Sequence, residues 1–423
     1  PRLPTLSIHL SQPSSVLNST SRLLLHHFIT EASKISSSAY IRDQICRTIL
    51  PMTHQSESLL YATMAFSSLH RYTLLNELPN RFLPEDLVAS LIASSMRCLR
   101  RDLEIPGYPV QPLLHTIRTL CHCEIFSGRA NSSWRVHVNG AGAMFAQLAS
   151  RRDLDESEYS FWLWSRWFWS IQALSAVTDI GTLSALTSSE STAQECNESY
   201  FFDTYTGYSS DLNPMLMEIG SMVHQEASSE SGDGFDIPID DFQRQEKANI
   251  LECSIKRMIA RDKDRGLKLP DHVSLSPETT RQFQASNTAY QYSSLLHLYK
   301  RVKGLPTLSP VVQCCVRAIL DSVSSIIPVT TLSPWILLTT PIYTAGADDS
   351  ILSCEAMGQD RQLVRELLQE LYFNLHIRNI LRALEILEQR WEDLDNSSSL
   401  LLGSLRSCKA EVDKAEGLDF IPY

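Results

Sequence analysis

The sequence predicts an all-α protein: a large helical array in two packed halves, with no substantial sheet. Three observations carry this prediction. From Leu23 onward, apolar residues recur at helical spacings. Proline and acidic residues stand where such patterns begin, as at helix N-termini. Convincing strands are scarce: "SIIPVTTL" is β-branched, but Pro328 interrupts it and nothing nearby pairs with it.

Residues 1–22, rich in Ser, Pro and Thr, read as a flexible arm, and 23–185 as the N-terminal helical half. Within that half Pro84, Glu85 and Asp86 open a helix, with the acids at the positive end of its dipole. Its apolar face is expected at Leu87, Leu91, Ser95, Leu99 and Leu103. After Pro112, a second stripe runs through Leu113, Ile117, Leu120 or Cys121, and Glu124 or Ile125. "FWLWSRWFWS" holds four tryptophans and two phenylalanines. It is either a helix buried on most sides, with Arg166 reaching for a carboxylate, or an aromatic wall for a ligand or interface.

Residues 186–250 form an acidic connecting segment. From Leu186 up to Lys247 there are 13 acidic residues and one basic residue, Arg244. The piece "HQEASSESGDGFDIPIDD" is its best candidate for a disordered loop. Residues 251–423 read as a C-terminal helical half packed on the first, with Ile380, Leu384, Leu387 and Trp391 along one helix face.

With 423 residues, 43% hydrophobic and 20% charged, the chain can bury a large core. A net charge of −11 argues against gripping phosphates over a broad surface. The ten cysteines are scattered, some inside apolar helical patterns, which favours reduced thiols. No apolar run is long enough to cross a membrane, so no membrane partner is expected, and no secretory signal is apparent. The first residue is Pro1, as in a fragment or a processed chain.

"WRVHVNGAGAMFAQL", residues 134–148, admits three readings. A dinucleotide turn needs a preceding strand, a third small residue and a βαβ rhythm. "RVHV" is too short, and Phe145 stands where the third glycine belongs. A metal site would combine His137 with Cys121, His122 and Cys123, but adjacent helical residues diverge by about 100° and cannot converge on one ion. The third reading is a helix whose Gly140 and Gly142 allow close packing while Met144, Phe145 and Leu148 face the core. No metal ligands are assigned; Cys314-Cys315 is likewise not a ligand pair. "KRMIARDKDRGLK" concentrates six cations but is diluted by Asp262 and Asp264, and reads as a solvated helix face. No Gly-x-Ser-x-Gly elbow or His-Glu-x-x-His occurs.

Four stretches in order carry a resemblance. They are "ESLLYATMAFSSLHRY"; "LLHTIRTLCHCEIFSGRANSSWRVHVNGAGAMFAQL", with Trp134, His137, Gly140 and Ala141; "DTYTGYSSDLNPMLMEIGSMV", with Asp203 and Gly207; and "PWILLTTPIYTAGADDS" followed by "NLHIRNILRALEILEQRWED", with Trp335, Pro341, Ala345, Gly346 and Trp391. Together they resemble the regulatory (middle homology) region of fungal-specific transcription factors, the binuclear zinc-cluster regulators. The cysteine-rich zinc cluster that reads DNA in that family is not in this chain.

The resemblance implies a nuclear regulatory domain that controls gene expression, as of a metabolic or biosynthetic pathway, through binding of a small-molecule effector or a co-regulator protein, and that forms homodimers. DNA would be reached only through a zinc cluster, and no cofactor is expected in this chain. Trp134, His137, Trp164 and Trp335 are the ligand-binding candidates. A second reading is a finger-less, cytoplasmic family member acting as a secondary-metabolism enzyme. Its acid/base chemistry would centre on His137, with Asp203 and Tyr208 as partners.

Overall fold

The computed structural model describes residues 18–76, 85–129, 134–151, 161–178, 200–231, 241–348, 355–401 and 421. Among these are fourteen α-helices and one two-stranded hairpin, so the chain is all-α. Helix α1 (Ser19–Thr30) starts inside the stretch expected as an arm, because Asn18 Oδ1 accepts the Ser21 N–H at 2.7 Å and caps it. Ser38 caps α2 (Ala39–Thr53) through Ile41 N–H in the same way. Residues 31–38 join these helices.

Helices α3 (Glu57–Asn76), α4 (Glu85–Glu104) and α5 (Val110–Ser127) pack on one another. The buried face of α4 differs from the expected one at its end. Leu91, Ser95 and Leu99 are inside, but Leu103 is 50% exposed and the buried position is Asp102. A polar partner set explains the substitution. The Asp102 carboxylate accepts from Ser58 Oγ at 2.9 Å and from Arg101 at 2.9 Å, while Ser95 Oγ donates to the Ser58 carbonyl.

The stripe expected on α5 widens to nearly its whole circumference: Pro112 to Cys123 are all buried, and so is Ile125. The helix ends on Gly128 with φ 64°, where a side chain would strike the Arg378 backbone at 2.7 Å. Helix α6 (Trp134–Arg151) then packs on α5, and α7 (Phe161–Thr178) on both.

Within the acidic segment, the described residues are built into the core. Strands β1 (Phe202–Asp203) and β2 (Tyr208–Ser209) pair antiparallel through Gly207, φ 82°, and α8 (Leu212–Ser231) follows. The acids alternate with buried Leu212, Leu216, Ile219 and Met222, which join the main core. Of the expected disordered loop, residues 224–231 complete α8 and 232–240 lie outside the described residues.

Helices α9 (Asp241–Arg265), α10 (Pro277–His297), α11 (Pro310–Ser324), α12 (Thr339–Gly346), α13 (Glu355–Leu375) and α14 (Arg378–Leu401) complete the array. On α14, Ile380, Leu387 and Trp391 are buried and Leu384 packs against them. A single hydrophobic cluster runs from Leu99 and Leu120 through Trp164 and Ile219 to Ile319, Leu371 and Trp391, so early and late helices share one core, while Leu24 and Phe28 of α1 sit in two smaller clusters.

Close helix approach is seen at Gly220 and Gly346, whereas Gly140, one of the two glycines expected to provide it, does not. At Gly140 a Cβ would meet nothing within 4 Å, so this residue makes no tight contact. At Gly220 on α8 a Cβ would lie 2.5 Å from Ala176 Cβ and 2.6 Å from its carbonyl oxygen on α7. Gly346 similarly admits Leu387 and Val364, and its carbonyl accepts the Trp391 Nε1–H at 2.9 Å. Two residues singled out by the resemblance therefore meet, fastening α12 to α14.

Candidate functional site

A cavity of about 130 Å³ lies where the N-terminal helices meet the hairpin and the chain around residues 336–340. Its first wall is α2, on which Ile41, Ile45 and Ile49 recur at every fourth residue and so share one face. The second is α5, contributing Arg118, Thr119, His122 and Phe126 from a face with the same spacing. Ser170 and Leu174 of α7 add a third side.

The far side comes from later sequence: Tyr205, Thr206 and Tyr208 of the hairpin, Tyr290 of α10, and Leu337 and Thr340 around the start of α12. Residues 32–37, between α1 and α2, lie along it as a strap. Ser37 Oγ donates to the Thr204 carbonyl, and the Lys34 carbonyl accepts the Leu332 N–H at 3.1 Å. The cavity is thus bounded by residues from both expected halves, and this strap ties them.

The hairpin wall is fixed by a buried carboxylate. Asp262, 4% exposed, accepts from Ser209 Oγ at 2.9 Å, Asn287 Nδ2 at 2.8 Å, Gln291 Nε2 at 2.8 Å and Arg261 Nε at 2.7 Å. Arg261 also reaches Asp211 at 2.6 Å and lies over the Tyr200 ring. Part of "KRMIARDKDRGLK" is therefore internal, whereas Lys256, Arg257 and Lys263 face solvent. Full pairing is what permits a charge at this depth.

Two of the three tyrosine hydroxyls in the wall are engaged with protein. Tyr208 Oη donates to Asn213 Oδ1 at 2.8 Å and Tyr290 Oη to the Leu337 carbonyl at 2.5 Å. The His122 Nδ1–H donates to the Arg118 carbonyl at 2.8 Å, a bond that places its proton on Nδ1. Burial first, and then the positive charge of Arg118, hold the His122 imidazole down at about 3, so it is neutral at pH 7.

The sequence-derived candidates fall elsewhere. Trp134 and Trp164 are core residues: the Trp134 carbonyl accepts from Cys121 Sγ at 3.8 Å, and Trp164 stacks on Phe168 with centroids 4.8 Å apart. Trp335 is 0% exposed behind the chain that forms the cavity's far side. His137 is buried on α6, its imidazole pushed down to about 4 by burial, and it does not line this cavity. Asp203 forms an ion pair with Arg166 at 2.7 Å and accepts the Tyr205 N–H at 2.9 Å, so Arg166 does find a carboxylate. Of the three residues considered for acid/base chemistry, Tyr208 alone borders the cavity.

Cys121 and Cys123 are buried thiols, both raised by burial. Among the described residues no three His, Cys, Asp or Glu side chains cluster as a metal would require, no disulfide forms, and no helix is long and apolar enough to cross a membrane. The cavity residues Ile45 and Arg118 were missed by motif reading. Their available signals were the four-residue recurrence of isoleucine and an arginine inside an apolar run.

The family model for the fungal-specific transcription factor domain matches residues 22–412, and the chain belongs to that family. No curated protein and no solved structure matches the chain.

Proposed function

We propose that this member of the fungal-specific transcription factor domain family is the effector-sensing region of a nuclear regulator, and that the cavity between α2, α5 and the hairpin receives the effector. Family membership supports a role in regulating transcription. The observation that carries the finer reading is the make-up of the cavity wall, which draws on Ile41 and Arg118 from early sequence and on Tyr290 and Leu337 from late sequence.

A molecule held there touches both parts of the array and favours the arrangement in which they close on it. Such binding shifts an existing equilibrium by the difference in its affinity for the two arrangements. The strap at residues 32–37, joined to the hairpin and to Leu332, is the element that carries the change. Contact with a co-regulator, and pairing with a second copy, are outputs that this change would control.

The test is a reporter assay with the chain fused to a heterologous DNA-binding module. Ile45→Trp puts an indole into the cavity, whereas Phe373→Ser alters a side chain 73% exposed on another face. The expected result is that I45W changes reporter output several-fold while F373S leaves it near wild type. A folded I45W protein with wild-type output and effector response would contradict the proposal.

A further inference from the structure

Arg118 is 7% exposed and borders the cavity. It is the only charged residue in the wall, and no aspartate or glutamate lines the cavity among the described residues. Its Nε is sealed from solvent without an acceptor. Among the described residues its guanidinium forms no ion pair. Elsewhere among the described residues buried carboxylates are paired: Asp102 with Arg101, Asp262 with Arg261, and Asp203 with Arg166. A guanidinium stays protonated at any physiological pH, and burying it unpaired is costly.

Around Arg118 the wall is mainly hydrocarbon. Phe28, Ile41, Ile45, Phe66 and Leu174 surround a volume of about 130 Å³. A dry cavity of roughly 150 Å³ holds one benzene ring, which sets the size of body that fits. We propose that the cavity binds a small organic acid, with its carboxylate on the Arg118 guanidinium and a single-ring or branched hydrocarbon body against the α2 isoleucines. The planar fork of arginine suits a carboxylate, through two parallel hydrogen bonds. This inference rests on the effector-site reading above and specifies its ligand class.

Phenylacetate, benzoate and 4-methylpentanoate are the acid probes, and phenylacetamide is the neutral counterpart of the first. Binding to the chain is measured by titration calorimetry at pH 7, with inorganic phosphate as a separate arm. The expected result is saturable binding of at least one acid. Phenylacetate should bind about 10- to 100-fold more tightly than its amide, as for loss of one charge-assisted contact. Arg118→Met should abolish the preference for acid while leaving amide affinity within a few-fold.

Equal binding of phenylacetate and phenylacetamide to the wild-type chain would overturn the role of Arg118 and leave the cavity as a ligand site. That comparison needs no variant, so it stands even if R118M fails to fold. Inorganic phosphate binding as tightly as the acids would overturn the need for a hydrocarbon body. Failure of every acid to bind overturns the inference. If I45W also behaves as wild type in the reporter assay, the effector-site reading falls with it.

Discussion

Gly220 and Gly140 make opposite demands on the same substitution. Both lie inside helices, where Gly→Ala alone is worth up to about 1 kcal/mol of stabilisation. At Gly140 the added methyl would meet nothing within 4 Å, so G140A is expected to stabilise the chain by that amount. At Gly220 it would sit 2.5 Å from Ala176 Cβ, 2.6 Å from the Ala176 oxygen and 2.8 Å from its carbonyl carbon. Carbon atoms prefer about 3.5–4.0 Å, so α7 and α8 would have to separate by about 1 Å. Overpacking on this scale costs typically 1–3 kcal/mol and cancels or exceeds the propensity gain. Two of the three contacts are with backbone, so Ala176→Gly in the G220A background should rescue only partly. Urea denaturation followed by tryptophan fluorescence and far-UV circular dichroism reads the midpoints. A G220A chain as stable as G140A, or full rescue by A176G, would refute the close-packing account of α7 and α8.

Asp262→Ala should be among the most destabilising single changes, by about 3–5 kcal/mol, because it removes one of the two carboxylates that meet Arg261 and leaves the buried donors of Ser209, Asn287 and Gln291 without their acceptor. A drop in thermal midpoint no larger than that of an exposed aspartate variant would contradict the clamp. Trp391→Phe should cost about 1–2 kcal/mol by removing the bond to the Gly346 carbonyl and part of a buried ring, and denaturant midpoints would show it. The pH dependence follows from the buried histidines: His70, His122 and His297 are held at about 3 and His137 at about 4 in the folded chain against about 6.5 unfolded. The unfolded chain binds these protons first, so stability is full above about 6.5 and falls as the pH drops from there towards 4, by up to about 1.4 kcal/mol per pH unit for each histidine. His122→Phe combined with His137→Phe should lower that slope without abolishing it, since His70 and His297 still contribute, in midpoints measured between pH 7 and pH 4.5.

Helix faces were legible from sequence where polar residues sit outside and apolar residues inside, as on α14 with Ile380, Leu387 and Trp391. The pairing of Arg166 with a carboxylate was also legible, because a lone charge in "FWLWSRWFWS" needs a partner. The burial of α5 was not. Thr116 Oγ1 donates to the Pro112 carbonyl at 2.7 Å, Thr119 Oγ1 to His115 at 2.8 Å and His122 Nδ1 to Arg118 at 2.8 Å. Each of these three side chains is satisfied by its own helix, so it can be buried while appearing surface-like in a periodicity count. The last turn of α4 misled for a related reason: Asp102 is inside because Ser58 and Arg101 meet it.

The cavity was harder still, since it is assembled from segments as distant as Ile41 and Tyr290, and no local spacing encodes their meeting. The resemblance drew attention to Trp134, His137 and Trp335, and the aromatic run to Trp164; all four are buried and none lines this cavity. A two-residue ladder such as β1–β2 gives no periodic signal. It exists because Gly207 supplies a positive φ and Asn287 Oδ1 accepts the Ser209 N–H at 2.9 Å.

The central claim is that one small molecule, seated between early and late segments, couples them. Amide hydrogen exchange of the chain with and without saturating phenylacetate tests it most directly. Slower exchange is expected both in the strap at residues 32–37 and around residues 332–340, with a smaller response in R118M. Protection confined to one of these two segments, or absent from both while the acid is bound, would contradict the account.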